Sequence, residues 1–224
     1  MPLARPPFIN VVVAAARPVP APCILWPTAK GYGENGGSDS ARFPLLSTIK
    51  MRRSARPPEP LQAFLEAAWH AQDRILVLDD FLFKAKDGQS QQSRYDQILL
   101  WLPDWLAAND VRFLTNAHGS RAEQAAIQQL FAARATDINN ASPHRTGKAT
   151  IKIQFSLGST FPYVHDRFAI IDNELWHFGA TVGGLHGDVS AATRGWDIAH
   201  HDALRFFEDA WAGDGDLSNG GRHG

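Results

Sequence analysis

Between residues 59 and 212, segments with apolar residues at helical spacing alternate with short apolar runs. From Leu61 to Trp69 the apolar residues recur every three or four positions, and an unbroken apolar run follows at 75–78. The first pattern predicts a helix with one buried face, and the second predicts a buried strand. The same alternation predicts further helices at 93–105, 120–131 and 203–211, and further strands at 111–114, 151–155, 168–171 and 175–178.

The order of these elements predicts the fold class. Helices and strands that interleave along a chain are typical of an α/β fold, in which helices flank a mixed, partly parallel sheet. Ser93 and Ser120 are predicted to cap two of the helices, and Pro103 to interrupt or kink the first of these. Residues 139–148 are polar and are predicted to form a loop.

The first 58 residues differ in composition from the rest of the chain. Eleven of the fourteen prolines lie within the first 60 residues, together with a Gly/Ser-rich stretch at 31–38. Proline and glycine at this density disfavour long helices and strands. The sequence therefore predicts an irregular leader at 1–58, of which residues 1–55 are dispensable for folding, a folded domain at 59–212 and a flexible tail at 213–224.

Charge separates the leader from the domain as well. Residues 1–58 hold eight basic and two acidic side chains, a net charge of +6, whereas the remainder holds 14 basic and 21 acidic side chains, a net charge of -7. A basic leader of this kind is most often a solvated tail, and contact with nucleic acid or acidic lipid is the alternative.

Two features limit the class of protein to which the chain can belong. The single cysteine, Cys23, excludes an intrachain disulfide framework and a cysteine-rich metal site within one chain. No apolar run approaches the roughly 20 residues of a transmembrane helix. A cytoplasmic location is favoured, and export is the alternative because Arg5 precedes a short apolar stretch at 8–13.

The candidate chemistry is concentrated between residues 165 and 179. Strand alternation is expected to place His165 and Arg167 on one face, so that imidazole and guanidinium project side by side and can hold a phosphate. A two-residue hairpin loop at 172–173 would set Arg167 opposite Phe178 and His165 opposite Ala180. Gly179 then lies beside the pair and leaves room for a ligand or a second backbone.

The spacing of these residues resembles the motif of the phospholipase D superfamily. That motif has His, any residue, Lys, four residues and Asp, then six residues, Gly-Ser, two residues and Asn. This chain has His165, Arg167, Asp172 and Gly179 at the corresponding positions. It departs from the motif in three places, with Arg167 for Lys, Ala180 for Ser and Gly183 for Asn.

The resemblance implies one half of a two-motif catalytic unit, and a single motif implies a homodimer in which the two motifs face each other. His165 of one chain would be the nucleophile that forms a phosphohistidine, and His165 of the second chain the acid that protonates the leaving group. No metal ion and no cofactor take part in this chemistry. Asp172 completes the catalytic motif, although its place on the opposite face of the strand favours a structural role.

Further residues are assigned to the site from its surroundings. Asp188 and Asp197 are the candidate carboxylates that orient His165. Substrate-binding roles are expected for Gly179 and Thr181, although Thr181 points to the other face of the strand unless a bulge turns it. Lys148 and Lys152, which precede the motif, are expected to extend a positive path for a phosphate backbone.

The resulting functional hypothesis is a homodimeric, metal-independent phosphodiesterase of phospholipase D type. A nuclease is preferred, and a phospholipid hydrolase or transferase comes second. The alternative from another class is a noncatalytic interaction module with the same fold, which the departures at Ala180 and Gly183 favour.

Overall fold

The structure, a computed structural model, describes residues 18–27, 43–54, 61–86, 88–117, 119–184 and 186–213. Its centre is a seven-stranded sheet. The strands are β1 (Cys23–Leu25), β2 (Arg74–Leu78), β3 (Asp110–Leu114), β4 (Thr150–Gln154), β5 (Arg167–Ile171), β6 (Glu174–Phe178) and β7 (Ala192–Asp197). Their order across the sheet is β1-β7-β6-β5-β2-β3-β4.

Six α-helices accompany the sheet in the described residues. They are α1 (Leu46–Ser54), α2 (Gln62–Trp69), α3 (Gln91–Leu99), α4 (Arg121–Ala141), α5 (Leu157–Thr160) and α6 (Ala203–Ala212). Strands β2, β3 and β4 run parallel, and the remaining pairs are antiparallel. The predicted α/β fold with a mixed, partly parallel sheet is therefore confirmed. None of the helices in these residues is long and apolar enough to cross a membrane.

Two apolar clusters lie on the two faces of the sheet. Alternate strand residues such as Val77 pack with Phe64 of α2 and with α3 and α4. The intervening residues, such as Leu76, pack with Phe207 of α6 and with α5. Since successive side chains of a strand point to opposite faces, one strand serves both layers. The result is a three-layer arrangement, with α2 to α4 on one side and α5 and α6 on the other.

The helix boundaries differ from the predicted ones in two places. Helix α3 ends at Leu99, and Ser90 rather than Ser93 caps it, since the Ser90 hydroxyl accepts a hydrogen bond from the Ser93 backbone at 3.1 Å. Helix α4 begins behind Ser120 as predicted, with a reciprocal capping box formed by Glu123. It continues to Ala141 and so includes the first residues of the predicted loop 139–148.

The segment predicted as an irregular leader contributes a strand and a helix. Strand β1 pairs with β7, and Leu25 is buried in the core at 1% exposure. Prolines at 22 and 27 flank this three-residue strand, a position that the edge of a sheet tolerates. The prediction of an irregular leader is thus wrong for β1 and α1. Residues 1–17, 28–42 and 55–58 of the leader, 59–60 of the predicted domain and 214–224 of the predicted tail lie outside the described residues.

Candidate functional site

The hairpin of β5 and β6 has the register expected from the sequence. Arg167 is paired with Phe178, and Ile171 with Glu174, so that residues 172 and 173 form the turn. Asp172 has a φ of 54°, a left-handed conformation that Asp tolerates better than most residues. The hairpin therefore places Arg167 at one end of β5 and Asp172 at the other.

His165 lies outside this hairpin, because strand pairing begins at Arg167. Its side chain is exposed in the segment that precedes β5. It lines an open groove of about 620 Å³ that we call the histidine groove. The residues of this groove include Tyr163, His165, Asp166, Phe168, His177, His201 and Phe206.

Arg167 lines a different cavity, of about 250 Å³, at the same end of the sheet. Three of its lining side chains are basic and one is acidic, so we call it the basic cavity. It is formed by Phe81, Lys84, Lys86, Arg167, Ala180, Thr181 and Asp188. The loops that carry these residues follow β2 and β6, and the carboxyl ends of strands are where ligands bind in many α/β proteins.

The expected side-by-side projection of His165 and Arg167 is not found. Phe168 of the histidine groove and Arg167 of the basic cavity are consecutive residues of β5 and point to opposite faces of the sheet. His165 precedes the paired part of the strand, so the pleat does not fix its direction. The imidazole consequently lines the cavity on the other face.

Aromatic and acidic groups hold the cations of the basic cavity. The guanidinium carbon of Arg167 lies 5.2 Å from the centre of the Phe81 ring, and the ammonium of Lys84 lies 5.3 Å from it. Arg167 Nε donates to Asp80 Oδ1 at 2.6 Å. Partial burial opposes the charge of Arg167, but the hydrogen bond to Asp80 and the charges of Asp79 and Asp80 raise its pKa. The guanidinium is therefore cationic at every relevant pH.

Asp79 lies beneath the surface of the basic cavity and binds the backbone of two loops that form it. It is fully buried, and its two carboxylate oxygens accept hydrogen bonds from the backbone N–H groups of Phe81 and Val182, each at 2.8 Å. Burial raises the pKa of Asp79 to about 6, against the opposing effects of these two hydrogen bonds and of the nearby Arg167. Asp80 adds to the rise.

The remaining wall of the cavity contains an ion pair between Lys86 and Asp188. Both side chains are about half exposed, at 55% and 44%. The hydrogen bond from Lys86 lowers the pKa of Asp188, and the charge of Arg53 on α1 contributes to this effect. Asp188, expected to orient His165, is thus a partner of Lys86 at the basic cavity.

The loop after β6 brings two of the motif positions to the cavity. Ala180 and Thr181 both line it and are largely buried. Gly179 is exposed at the start of this loop, and a Cβ there would collide with the Ser190 hydroxyl. The glycine therefore makes room for the Ser190 side chain, which is neither the ligand nor the second backbone expected beside it.

Asp172 lies at the far end of β5 from Arg167. Its carboxylate accepts hydrogen bonds from the backbone N–H groups of three consecutive residues at the start of β2, at 2.7 to 3.2 Å: Gln72, Asp73 and Arg74. This network joins the β5–β6 turn to the start of β2. The carboxylate holds a turn, and the structure does not bring it to the cavity.

Three other predicted site residues also lie away from the cavity. Lys148 is exposed before the first residue of β4, at the opposite end of the sheet. Lys152 is exposed on β4 itself, an edge strand separated from β5 by β3 and β2. Asp197 is paired with Glu174 beside the β5–β6 turn, and its carboxylate accepts from the backbone N–H of Ala199 at 2.9 Å.

The sequence analysis missed the residues between β2 and α3 that form half of the cavity. Asp79 and Asp80 follow directly on a buried apolar run, and Lys84 and Lys86 come shortly afterwards. Polar residues at the carboxyl end of a buried strand were the available signal, because that position is a frequent ligand site in α/β sheets. Among the described residues, no three His, Cys, Asp or Glu side chains form a group that could hold a metal ion.

Comparison with known proteins gives no family assignment. No protein-family model matches the chain, and no curated protein matches it. Among solved structures, it is similar to TrmBL2, an archaeal chromatin protein with a novel mode of DNA binding, at 13% identity and a TM-score of 0.39, over 90% of this chain and 55% of that one. It is also similar to phosphatidylserine synthase from Haemophilus influenzae Rd KW20, at 14% identity and a TM-score of 0.40, over 66% of this chain and 33% of that one.

The chain therefore spans about half the length of the first of these proteins and a third of the second. Similarity at this level carries no argument about activity. The residues around the basic cavity and the spacing of the His165 motif are the features that bear on function.

Proposed function

We propose that this chain binds phosphodiester anions in the basic cavity and cleaves them as a metal-independent phosphodiesterase of phospholipase D type. The observation that carries the proposal is the cluster of three basic side chains, Lys84, Lys86 and Arg167, around one cavity at the carboxyl end of β2. Two of the three come from a single loop, and the third begins the strand of the His165 motif.

The cavity has the chemistry that a phosphodiester group requires. A guanidinium carries five N–H donors, and Asp80 accepts from the one on Nε of Arg167. Guanidinium nitrogens bind phosphate oxygens in pairs, and Lys84 adds a point charge. The lining side chains carry three positive charges and one negative charge, and a monoanionic phosphodiester competes with Asp188 for Lys86 and with Asp80 and Asp79 for Arg167.

The proposed reaction uses two histidines. The imidazole nitrogen of His165 attacks phosphorus, the bond from phosphorus to the leaving oxygen breaks, and His165 of a second chain gives that oxygen its proton. Water then attacks the phosphohistidine, the phosphorus–nitrogen bond breaks, and the second histidine takes up the proton of the water. Asp166 alone separates His165 from Arg167, a span of at most about 7 Å between Cα atoms, so a rearrangement of 164–166 suffices to bring the imidazole to the cavity.

A specific observation favours the second candidate, a noncatalytic module that binds phosphodiesters. His165 lines the histidine groove, whereas Arg167 lines the basic cavity on the other face of β5. A module of this kind needs Lys84, Lys86 and Arg167 but not His165. The two candidates therefore differ in the effect of changing one histidine.

The experiment incubates pure protein in EDTA with labelled single-stranded DNA, double-stranded DNA, RNA and short-chain phospholipid. The phosphodiesterase predicts a cleaved product that disappears in His165→Ala, and His70→Ala serves as the control because His70 lies beside the far end of the sheet. Binding without cleavage, unchanged in His165→Ala but lost in Lys84→Gln with Arg167→Gln, establishes the binding module. Cleavage that requires a divalent ion and survives His165→Ala overturns the proposed mechanism.

The same proposal requires a dimer, because two histidines act on one phosphate. Light scattering of the full chain at tens of micromolar is expected to give twice the mass of one chain, 24.6 kDa. A mixture of the unmodified chain with an excess of His165→Ala tests whether two chains share the site. A mixed dimer has only one of the two required histidines, so activity is expected to fall toward zero as mixed dimers form. Activity that stays proportional to the amount of unmodified chain, or a monomeric active enzyme, contradicts a shared site.

A further inference from the structure

The buried carboxylate of Asp79 touches three separate parts of the basic cavity. Its hydrogen bonds to the Phe81 and Val182 backbones fix the loop after β2 and the turn that follows Thr181. Its Oδ1 atom also lies 3.5 Å from Nε of Arg167. Asp79 has no exposed surface and cannot contact a ligand directly. Any influence it has on the cavity therefore passes through Arg167 and the two loops.

The charge of Arg167 is shared between two carboxylates. Asp80 accepts from Nε at 2.6 Å, and Asp79 lies behind it at 3.5 Å. An anion in the cavity competes with both carboxylates for this one guanidinium. Because an anion and a buried carboxylate repel each other strongly where water is excluded, binding is favoured when one of the two carboxylates is neutral.

We propose that Asp79 is the positioning residue of the basic cavity and takes up a proton when an anion binds beside Arg167. This inference rests on the proposed function only for the existence of an anion site. Binding and protonation are linked reciprocally, so the affinity for an anion rises as the pH falls. Asp79 then acts as the proton-sensitive part of the site without touching the ligand.

The position of Asp79 explains why it, and not its neighbour, takes up the proton. Burial raises the pKa of Asp79 to about 6, near the range in which a modest change in local charge alters its protonation. Asp80, at 2.6 Å, is the nearer of the two carboxylates to Nε of Arg167, and Asp79, at 3.5 Å, is the more deeply buried. Other charged or titratable groups of the surrounding elements are Lys84, Lys86, His186 and Asp188.

The test measures the affinity of the full chain for diethyl phosphate by calorimetry between pH 5 and pH 7.5. This phosphodiester remains a monoanion over the whole range, so its own charge does not vary. We expect the affinity to rise about five- to tenfold from pH 7.5 to pH 5, within the usual range of coupling between sites. Binding at pH 6 to 7, measured in buffers of different ionisation enthalpy, is expected to show uptake of a fraction of one proton.

Three variants assign the proton to one residue. Asp79→Asn is expected to bind with an affinity independent of pH, since no proton can be taken up at that position. Asp80→Asn removes a competing charge and is expected to raise the affinity at every pH while the pH dependence remains. His177→Ala is expected to keep the pH dependence, because His177 lines the histidine groove and not the basic cavity.

The failure of this inference differs from the failure of the proposed function. Absence of binding at every pH overturns the anion site itself. Binding with no proton uptake and no pH dependence overturns the role of Asp79 alone. A pH dependence that survives in Asp79→Asn, or that disappears in Asp80→Asn or His177→Ala, also overturns it. If Asp79→Asn does not fold, proton uptake by the unmodified chain together with the other two variants decides the question.

Discussion

At the scale of single residues, Asp79 couples folding to pH. Its pKa is about 6 in the folded chain, against about 3.9 for an unperturbed Asp, so the folded state holds more protons between these values. Stability is therefore expected to fall as the pH rises from about 4 to about 6, with a contribution on the order of 3 kcal/mol.

This prediction is checked by urea unfolding at pH 4.5 and pH 7. The unmodified chain is expected to lose stability over this interval, and Asp79→Asn to lose less. Carboxylates whose pKa is lowered, such as Asp188 and Glu208, act in the opposite direction, but mainly below this interval. An identical pH dependence in the two proteins would show that Asp79 is not the responsible group.

Gly183 stands where the superfamily motif has Asn, and its surroundings explain the difference. Its φ is +78°, and a Cβ at this position would come within 2.5 Å of the buried Trp101 ring. Gly183→Asn is therefore expected to lower the free energy of unfolding by about 2–4 kcal/mol, from left-handed backbone strain and overpacking, without restoring the function of the motif.

A second glycine provides the matched control for this change. Gly213 has a φ of +74° but nothing within 4 Å of its virtual Cβ. Gly213→Asn is expected to cost less than about 1 kcal/mol, since Asn tolerates this backbone. Equal losses of stability for the two variants, measured by thermal or urea unfolding, would contradict the role of Trp101.

At the scale of elements, the β5–β6 hairpin depends on Asp172. Asp172→Ala removes the acceptor for three backbone N–H groups and places Ala at a positive φ, so a loss of about 2–3 kcal/mol is expected. Asp172→Asn keeps one acceptor oxygen and is expected to lose less. The affinity of the basic cavity for diethyl phosphate should not change, because Asp172 lies at the other end of β5.

Asn173→Ala, at the second position of the same turn, is the control for this prediction. Asn173 has no positive φ, and its backbone carbonyl, which accepts from Ile198, is retained in Ala. If Asp172→Ala loses anion binding under conditions where the protein remains folded, the structural role of Asp172 is wrong and the residue belongs to the catalytic site, as the motif implies.

The β5–β6 hairpin also shows which features of the site could be predicted from the sequence and which could not. The turn at 172–173 and the pairing of Arg167 with Phe178 follow from alternation and loop length, which are local properties. The direction of the His165 side chain does not follow from these local properties. The residue precedes the paired strand, and its orientation depends on the chain around it. The prediction extended the strand alternation two residues beyond the paired part of β5, and it therefore placed the imidazole on the wrong face.

The elements that the sequence did not predict are stabilised by partners distant in the chain. Strand β1 has only three residues and no useful periodicity, and it forms because β7, some 170 residues later, offers an edge. The basic cavity likewise combines the loop after β2 with the loop after β6. Residue types at each position were visible in the sequence, but their proximity arises from the antiparallel pairing of β5 with both β2 and β6.

At the scale of the whole molecule, residues 18–27 of the positively charged N-terminal region are part of the folded domain. The backbone of Pro20 and Ala21 passes so close to Gly195 that any Cβ there would collide with it. Leu25 fills the core beneath. The expectation that residues 1–55 are dispensable for folding is therefore replaced by one that assigns a stabilising role to 18–27.

Two truncated chains test this role. A chain that begins at Thr28 lacks β1, exposes the apolar surface around Leu25 and leaves the edge of β7 unpaired, whereas a chain that begins at Pro18 keeps both contacts. Burial of one Leu side chain contributes roughly 2–3 kcal/mol, and the lost strand pairing adds to this. The shorter chain is expected to be less stable by about 3 kcal/mol in urea unfolding and to aggregate more readily, since an open strand edge pairs with other chains.

Leu25→Ala in the full-length protein isolates the core contact and should cost about 2–3 kcal/mol. Equal stability of the two truncated chains would mean that β1 is an accessory to the sheet and that the domain begins after it.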